Sequence, residues 1–108
     1  MSSYREAHVV SELQDGAAKM LELLPAGASA GPTRIARTLE IVNGDSPCVA
    51  YLLRKKDGAE YARIRIDLLR NDYVVLWEHP VVIPADTSLS FGAEAVGVTA
   101  VLHYEEEA

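Results

Sequence analysis

Three histidines and one cysteine are the side chains best suited to metal binding or nucleophilic catalysis in this 108-residue chain. His8, His79 and His103 lie far apart in sequence, and Cys48 stands alone in an apolar run. A zinc site usually contains a pair of cysteines or histidines separated by roughly two to four residues, and the chain has no such pair. The glutamates at 105–107 follow His103 closely but do not change this pattern. We therefore expect no metal site and no cofactor.

The sequence also offers no catalytic motif. A single cysteine cannot form an internal disulfide, and an unpaired cysteine within a strand-like run usually behaves as a small buried apolar residue. No glycine-rich phosphate-binding loop and no nucleophile-elbow pattern is present. The aspartates at 57, 67, 72 and 86 stand at turns or at polar strand positions, where structural roles explain them. We therefore expect a protein that is not an enzyme.

Charge and hydropathy exclude two classes of partner. The chain has 10 basic and 16 acidic residues and a formal net charge of −6, whereas a DNA-binding protein normally presents a basic surface to the phosphates. No apolar run approaches the roughly 20 residues that a membrane helix needs, and no secretion signal is visible. We expect a soluble protein made in a cytoplasm, without direct contact to nucleic acid or membrane.

The elements that would carry these side chains are mostly strands. The stretch from residue 34 to 53 contains two apolar runs joined by Asn43-Gly44-Asp45-Ser46, and such residues favour a hairpin turn. In the first run Ile35, Leu39 and Ile41 share one parity, which predicts a strand with one buried face. Residues 60–69 alternate more clearly still, with Ala62, Ile64, Ile66 and Leu68 on one side.

Lys56-Asp57-Gly58 is the next turn signal, and further turn signals recur at intervals near ten residues to the end. Residues 73–78 are expected as a more fully buried strand, followed by short strands at 81–83 and 89–91, the latter interrupted at Gly92, and a final strand at 95–104. This spacing predicts an all-β, antiparallel, jelly-roll-like sandwich of about six to eight strands over residues 33–108. The glutamates at 105–107 are expected to form a solvated acidic tail.

Residues 1–32 are interpreted as an N-terminal arm and linker. Residues 8–13 alternate loosely and fit a strand, and Asp15-Gly16 is a turn signal. Residues 17–24 fit either a short helix or the second strand of a hairpin, and the sequence leaves both open. Arms of this kind often order against a neighbouring subunit, so deletion of residues 1–30 is expected to leave a folded sandwich that does not assemble. The apolar residues of the arm are candidate assembly contacts: Val9, Val10, Leu13, Met20, Leu21, Leu23 and Leu24.

Two further features are candidate contacts. Arg63 and Arg65 lie on the polar side of the alternating strand, where they form either a solvated face paired with Glu60 or Asp67 or a docking surface for an acidic partner protein. Trp77, the only tryptophan, is either the main core filler or an interface anchor.

The order of these segments resembles a known family. The segments are residues 23–25 (LLP), 39–46 (LEIVNGDS), 56–58 (KDG), 77–83 (WEHPVVI), 86–89 (DTSL) and 96–106 (VGVTAVLHYEE). Over residues 13–106 the chain resembles the small β-sandwich virion proteins of tailed bacteriophages and prophages, which are head-decoration, minor capsid or tail-associated subunits.

The resemblance implies a non-enzymatic structural subunit present in many copies, most simply a capsid decoration or minor head protein. It implies the major capsid protein or neighbouring virion proteins as partners, a trimer or hexamer of the chain itself, and a location in the virion after assembly in the host cytoplasm. It transfers no catalytic residue. Alternatives are a head–tail connector or tail-associated protein, a ligand- or glycan-binding sandwich in which Tyr51, Tyr61 and Tyr73 cluster, and a small cupin-like enzyme.

Overall fold

A computed structural model describes residues 2–107, and this part of the chain is all-β. Its strands are β1 (Ser2–Val10), β2 (Leu13–Gln14), β3 (Ala17–Ala18), β4 (Leu21–Leu24), β5 (Arg34–Val42), β6 (Cys48–Lys56), β7 (Ala59–Leu68), β8 (Tyr73–Leu76), β9 (Val81–Ile83), β10 (Thr87–Ala93) and β11 (Thr99–Glu107). Residues 2–107 contain no helix that is long and apolar enough to span a membrane.

Nine of the eleven strands form two sheets. The first sheet has the order β1-β11-β5-β8, with β9 also paired to β5, and the second has the order β4-β10-β6-β7. All pairings are antiparallel, and β2 and β3 form a separate small hairpin. The pairing is nested: β1 pairs with β11, β4 with β10, β5 with β8 and β9, and β6 with β7. The chain is therefore arranged like one long hairpin that is folded across two sheets.

Apolar side chains from both sheets form one core in a sandwich-like arrangement. Leu39 and Ile41 of β5 and Leu102 of β11 come from the first sheet, and Leu89 and Phe91 of β10 come from the second. All five are fully buried. Phe91 is the largest fully buried side chain of the described residues, so aliphatic residues fill most of the interior.

The Asn43–Ser46 segment turns the chain but does not close a hairpin, so the predicted hairpin is wrong. β5 lies in the first sheet and β6 in the second. The Asn43 side chain donates to the carbonyls of Ser46 at 2.9 Å and Leu69 at 2.7 Å. This buried amide joins the β5–β6 connection to the β7–β8 connection, so both cross between the sheets at the same end of the molecule.

A β-bulge in β5 changes the predicted parity. Tyr104 pairs with Ala36 and His103 with Thr38, so Arg37 is an extra residue in β5. Leu39 and Ile41 point into the core as predicted, but before the bulge the inward residue is Ala36 and not Ile35. An extra residue exchanges the two faces because side chains alternate along a strand.

The first 32 residues supply strands to both sheets. β1 pairs with β11 over nine residue pairs, and β4 pairs with β10. Leu23 and Leu24 of β4 are part of the core. Residues 17–24 are not helical: of the two possibilities that the sequence left open, the hairpin is the one present, with Asp15-Gly16 between β2 and β3.

Three strands differ from their expected form. β10 continues through Gly92, where a Cβ atom would lie 2.5 Å from the Met20 sulfur, so glycine is needed there for close packing and not to end the strand. β8 ends at Leu76 and is an edge strand with alternately exposed residues, not a fully buried one. The glutamates at 105–107 continue β11 and do not form a solvated tail.

At the end of the sandwich opposite to Asn43, the buried Arg34 forms hydrogen bonds with the β4–β5 and β9–β10 connections. The Arg34 guanidinium donates to the carbonyls of Pro25 at 2.9 Å, Pro84 at 3.0 Å and Thr87 at 2.5 Å. Burial lowers the pKa of Arg34 from its ordinary value. These bonds hold the β4–β5 connection against the start of β10, and they satisfy carbonyls that would otherwise be buried without donors.

Candidate functional site

The outer face of the first sheet is the largest surface to which the strands present a regular array of side chains. Residues directly opposite each other in antiparallel strands lie on the same face. Read across β1, β11, β5 and then β8 or β9, three rows on this face are Val10–Thr99–Val42–Tyr73, His8–Val101–Glu40–Val75 and Tyr4–Glu105–Ile35–Val82.

This face is unusually apolar for a surface that nothing covers among residues 2–107. Of the eleven large apolar or aromatic residues that are exposed in this range, six lie on it. They are Tyr4, Val10, Val42, Tyr73, Val75 and Val82, with exposed fractions from 43% to 64%. Exposed apolar side chains gathered on one face commonly mark a contact surface.

A polar network runs through the middle of the face and joins four strands. His103 Nε2 lies 2.7 Å from a Glu40 oxygen, and the Tyr73 hydroxyl donates to the other Glu40 oxygen at 2.6 Å. When Nε2 carries the proton toward Glu40, Nδ1 accepts from the Tyr4 hydroxyl. The rings of Tyr4 and His103 are also stacked, with centroids 6.1 Å apart.

The network changes the acidity of two of its members. The hydrogen bond from Tyr73, followed by that from His103, lowers the pKa of Glu40 from its ordinary value. The same bond to the carboxylate raises the pKa of Tyr73. Near neutral pH Glu40 is therefore charged and the Tyr73 hydroxyl is protonated, so the hydrogen bond between them is maintained.

The glutamates that follow His103 in sequence are used in ion pairs. Glu105 lies 2.5 Å from Arg37, and Glu106 lies 2.7 Å from Arg5. Residues 2–107 contain no group of three or more histidine, cysteine, aspartate or glutamate side chains placed to hold a metal ion.

Arg63 and Arg65 lie on the outer face of the second sheet, on its edge strand β7. Arg63 pairs with Glu60 at 2.7 Å and Arg65 with Asp67 at 3.0 Å, each along its own strand. The predicted partners are therefore present, although the pairs do not cross between strands. Because each arginine is neutralised locally, this face carries little free positive charge for an acidic partner.

Trp77 lies at the point where β8 ends and the chain leaves the sheet edge. Its backbone has a φ of 71°, which is uncommon for a bulky residue. The side chain is half-buried and packs against the core. Part of the side chain therefore packs against the core and part remains at the surface, and a role as an interface anchor stays a prediction.

The seven candidate contacts in the N-terminal segment are not on one surface. Leu23 and Leu24 are buried, and Val9 packs against the core. Met20 lies over Gly92 of β10, and Leu21 pairs with Phe91. Only two of the seven are exposed, namely Val10 on the outer face of the first sheet and Leu13 in the β2–β3 hairpin.

Cys48 and the remaining candidates do not form a reactive centre. Cys48 is half-buried, its sulfur lies 3.5 Å from the Asn43 side-chain oxygen, and burial raises its thiol pKa. His79 lies exposed in the connection between β8 and β9. Tyr51 on β6 bonds Glu94 at 2.7 Å, which raises the pKa of Tyr51, and it lies in the second sheet while Tyr73 lies in the first. The three tyrosines considered for a glycan site therefore do not cluster.

A wide cleft of about 550 Å³ opens beside the Arg34 end of the molecule. Its walls include the connection at residues 30–33 and the paired side chains of Arg5 and Glu106. Because these two charges neutralise each other, the cleft lacks a free cationic group to select an anionic ligand.

The apolar outer face was not predicted from the sequence as one surface. Val10 was predicted only as a contact of the N-terminal segment, and Val75 was expected in a buried strand. The available signal is a valine at an outward position, as at Val10, Val42, Val75 and Val82. The pairing of Glu40 with His103 joins residues 63 positions apart, and only the fold brings them together.

Comparison with known proteins gives no relative: no protein-family model, no curated protein and no solved structure matches this chain.

Proposed function

We propose that this protein is a non-enzymatic structural subunit of a bacteriophage or prophage particle, most simply a capsid decoration or minor head protein. The observation that carries the proposal is the exposed apolar outer face of the first sheet. A regularly patterned face with several exposed apolar side chains suits contact with another protein better than it suits catalysis.

The strand order supports a jelly roll. If β8 and β9 are counted as one interrupted strand and the β2–β3 hairpin is set aside, eight strands remain in two nested four-stranded layers. A double sheet with this nested order is typical of jelly rolls, which are found in viral capsid proteins and also in lectins and cupins. The fold alone does not select among these functions.

Two observations favour the capsid type among them. A cupin-like enzyme holds its metal ligands inside the sandwich, whereas here the inward positions of both sheets are filled mainly by aliphatic residues such as Leu39, Ile41, Leu52 and Leu102. A glycan-binding sandwich usually exposes clustered aromatic rings. Of the exposed tyrosines here, Tyr61 lies on the second sheet, and Tyr4 and Tyr73 lie on opposite edge strands of the first.

The size of the outer face is sufficient for a specific contact. Four strand widths and about eight residues of length give a face of roughly 19 by 27 Å, or about 500 Å² per partner. Buried on both sides this amounts to about 1,000 Å², which is the lower end for specific protein interfaces. We propose the major capsid protein or a neighbouring virion protein as the occupant of this face.

The test is incorporation into particles. Particles purified from cells that carry the gene are analysed by quantitative mass spectrometry for this chain, and we expect it in many copies per particle. Its absence from the particles, with the protein present in the cells, would overturn the proposal.

A pair of matched variants then tests the face. Val75→Lys places a charge on the apolar outer face at its β8 edge, and Val96→Lys places the same charge at an exposed position of the β10–β11 loop. We expect Val75→Lys to lose incorporation and Val96→Lys to retain it, with both proteins folded by circular dichroism. Equal incorporation of the two variants contradicts the assignment of this face.

A further inference from the structure

β1 is a long and regular edge strand. It pairs with β11 through nine consecutive residue pairs without a shift in register, and β11 is the only strand within residues 2–107 that pairs with it. The backbone groups along its other edge are therefore not used by any strand of the described chain. An open edge of this length is a ready template for another strand.

The other three sheet edges are blunted in ways that β1 is not. β4 has four residues and a shift in register against β10. The edge formed by β8 and β9 is divided at residues 77–80, where Pro80 cannot donate a hydrogen bond. β7 has a shift in register opposite Arg54 and Lys55. Short length, bulges and interruptions are among the usual protections of an edge against pairing.

We propose that β1 pairs antiparallel with β1 of a second copy of this chain, about a twofold axis at Ala7. This contact joins the first sheets of two subunits into one continuous sheet. Antiparallel pairing about a twofold axis keeps the outer faces on the same side, so that each residue meets a residue of its own parity.

The side chains of β1 select this register. With the axis at Ala7, Glu6 lies opposite His8 of the second copy, and Tyr4 lies opposite Val10, each pair occurring twice. With the axis at Glu6, the Glu6 side chains of the two copies would lie opposite each other. With the axis at Arg5, the two Arg5 side chains would do so. Like charges directly opposite are unfavourable, whereas a carboxylate–imidazole hydrogen bond between Glu6 and His8 and an aromatic–β-branched pair stabilise a sheet.

The surface properties of β1 agree with this partner. Glu6 and His8 are exposed, and Tyr4 and Val10 have exposed fractions of 64% and 49%. Arg5, the inward charge that could protect this edge, is held by Glu106 of the neighbouring strand at 2.7 Å. Seven residues from Tyr4 to Val10 are thus available to pair with their equivalents in a second copy.

This dimer extends the proposed function, since it contributes to assembly in several copies. Only this purpose of the dimer rests on the proposed function. A twofold contact favours the hexamer over the trimer. The dimer is tested on purified protein alone, so a monomeric result overturns the dimer and leaves the particle test unaffected.

The first experiment measures the mass of the full chain by light scattering over a range of concentrations. We expect a monomer–dimer equilibrium for the unmodified protein. His8→Glu places two carboxylates opposite Glu6 residues and should raise the dimer dissociation constant by about tenfold. The matched control His79→Glu makes the same change at an exposed site away from β1 and should leave the constant unchanged.

The double variant Glu6→His/His8→Glu exchanges the two partners and should restore dimerisation toward the original level. A protein that stays monomeric at every concentration, or a His8→Glu variant that dimerises as well as the original, overturns the proposal. So does a double variant as weak as His8→Glu alone.

A cross-linking experiment tests the register. In a Cys48→Ser background, single cysteines are placed at Arg5, Ala7 and Val9 and the proteins are oxidised. Only the residue on the twofold axis meets its own equivalent, so we expect a disulfide-linked dimer for Ala7→Cys and little for the other two. Preferential cross-linking at position 5 or 9 overturns the register.

Discussion

Glu40 is the residue on which the polar network of the outer face depends. It accepts hydrogen bonds from Tyr73 on one neighbouring strand and interacts with His103 on the other. Both bonds require the charged carboxylate. The pKa values of Glu40 and Tyr73 are shifted in opposite directions for this one reason.

Glu40→Gln should return the pKa of Tyr73 toward its ordinary value, because the hydroxyl then donates to a neutral amide. An NMR titration of the tyrosine rings measures this change. Glu94→Gln is the matched control, since Glu94 has the same relation to Tyr51. That variant should lower the pKa of Tyr51 and leave that of Tyr73 where it is, and a shift of both tyrosines in either variant contradicts the pairings.

Glu40→Gln should also change how the stability of the protein depends on pH. The pKa of Glu40 is lower in the folded protein than its ordinary value of about 4.5, so its stabilising contribution is complete above that pH. The contribution is lost as the pH falls through the lower folded value. The difference in melting temperature between the original protein and Glu40→Gln should therefore narrow below about pH 4.5. A difference that stays constant on acidification contradicts the role of the charged form.

At the scale of the elements, the β6–β7 hairpin shows how turn residues act. Asp57 and Gly58 have φ values of 54° and 77° and connect Lys56 to Ala59. Two successive residues with positive φ are typical of the tight turn that matches the twist of paired strands. The sequence predicted this turn correctly from Lys56-Asp57-Gly58.

Gly58→Ala should lower the free energy of unfolding by about 1–2 kcal/mol, because alanine is strained at positive φ. The added methyl group itself meets nothing within 4 Å, so the effect comes from the backbone alone. Gly44→Ala is the matched control: its Cβ also has open space, and its φ is not in the positive range. Urea denaturation measures both variants, and an equal loss of stability in the two contradicts the explanation.

Turn residues predict where the chain reverses but not which strand it meets next. Asp57-Gly58 closes a true hairpin, whereas Asn43-Gly44-Asp45-Ser46 connects two different sheets. The difference lies in the bond from the Asn43 side chain to the carbonyl of Leu69, 26 positions away, which no local pattern contains. The sequence therefore predicted the all-β class and most strand positions, but not the assignment of strands to sheets.

Alternation predicted burial where a strand is regular. Ile66 and Leu68 of β7 are buried on the expected side. Ile64, on the same side, is exposed, and this depends on how far the opposite sheet extends over the edge strand. The Arg37 bulge in β5 is also not predictable from local alternation, because it arises in the pairing of β5 with β11.

At the scale of the whole molecule, the candidate site was the least predictable part. The apolar outer face consists of residues from five strands that are distant in sequence, and each contributes one or two side chains. β1 was also poorly marked, because its inward residues include the small Ala7 and the charged Arg5. Its place in the sheet is determined by its pairing with β11, which lies at the other end of the sequence.

The structure reverses the expectation for a chain that lacks residues 1–30. The deletion removes β1 from the first sheet and β4 from the second, and with β4 the buried Leu23 and Leu24. Burial of each leucine is worth about 1.5–3 kcal/mol, and a domain of this size has only about 5–15 kcal/mol of stability in total. We therefore expect the truncated chain to be unfolded, with narrow amide dispersion by NMR and no cooperative urea transition.

Two single substitutions separate the core role of the N-terminal segment from a role in assembly. Leu24→Ala should cost about 2–5 kcal/mol because the side chain is fully buried, while Leu13→Ala, at an exposed position of the β2–β3 hairpin, should change stability by less than about 0.5 kcal/mol. A truncated chain that unfolds cooperatively and gives a dispersed spectrum would restore the interpretation of residues 1–32 as a separable arm. Loss of folding in the truncation, together with the difference between the two leucines, would instead make the first strands an integral part of the sandwich, as their pairing with β10 and β11 requires.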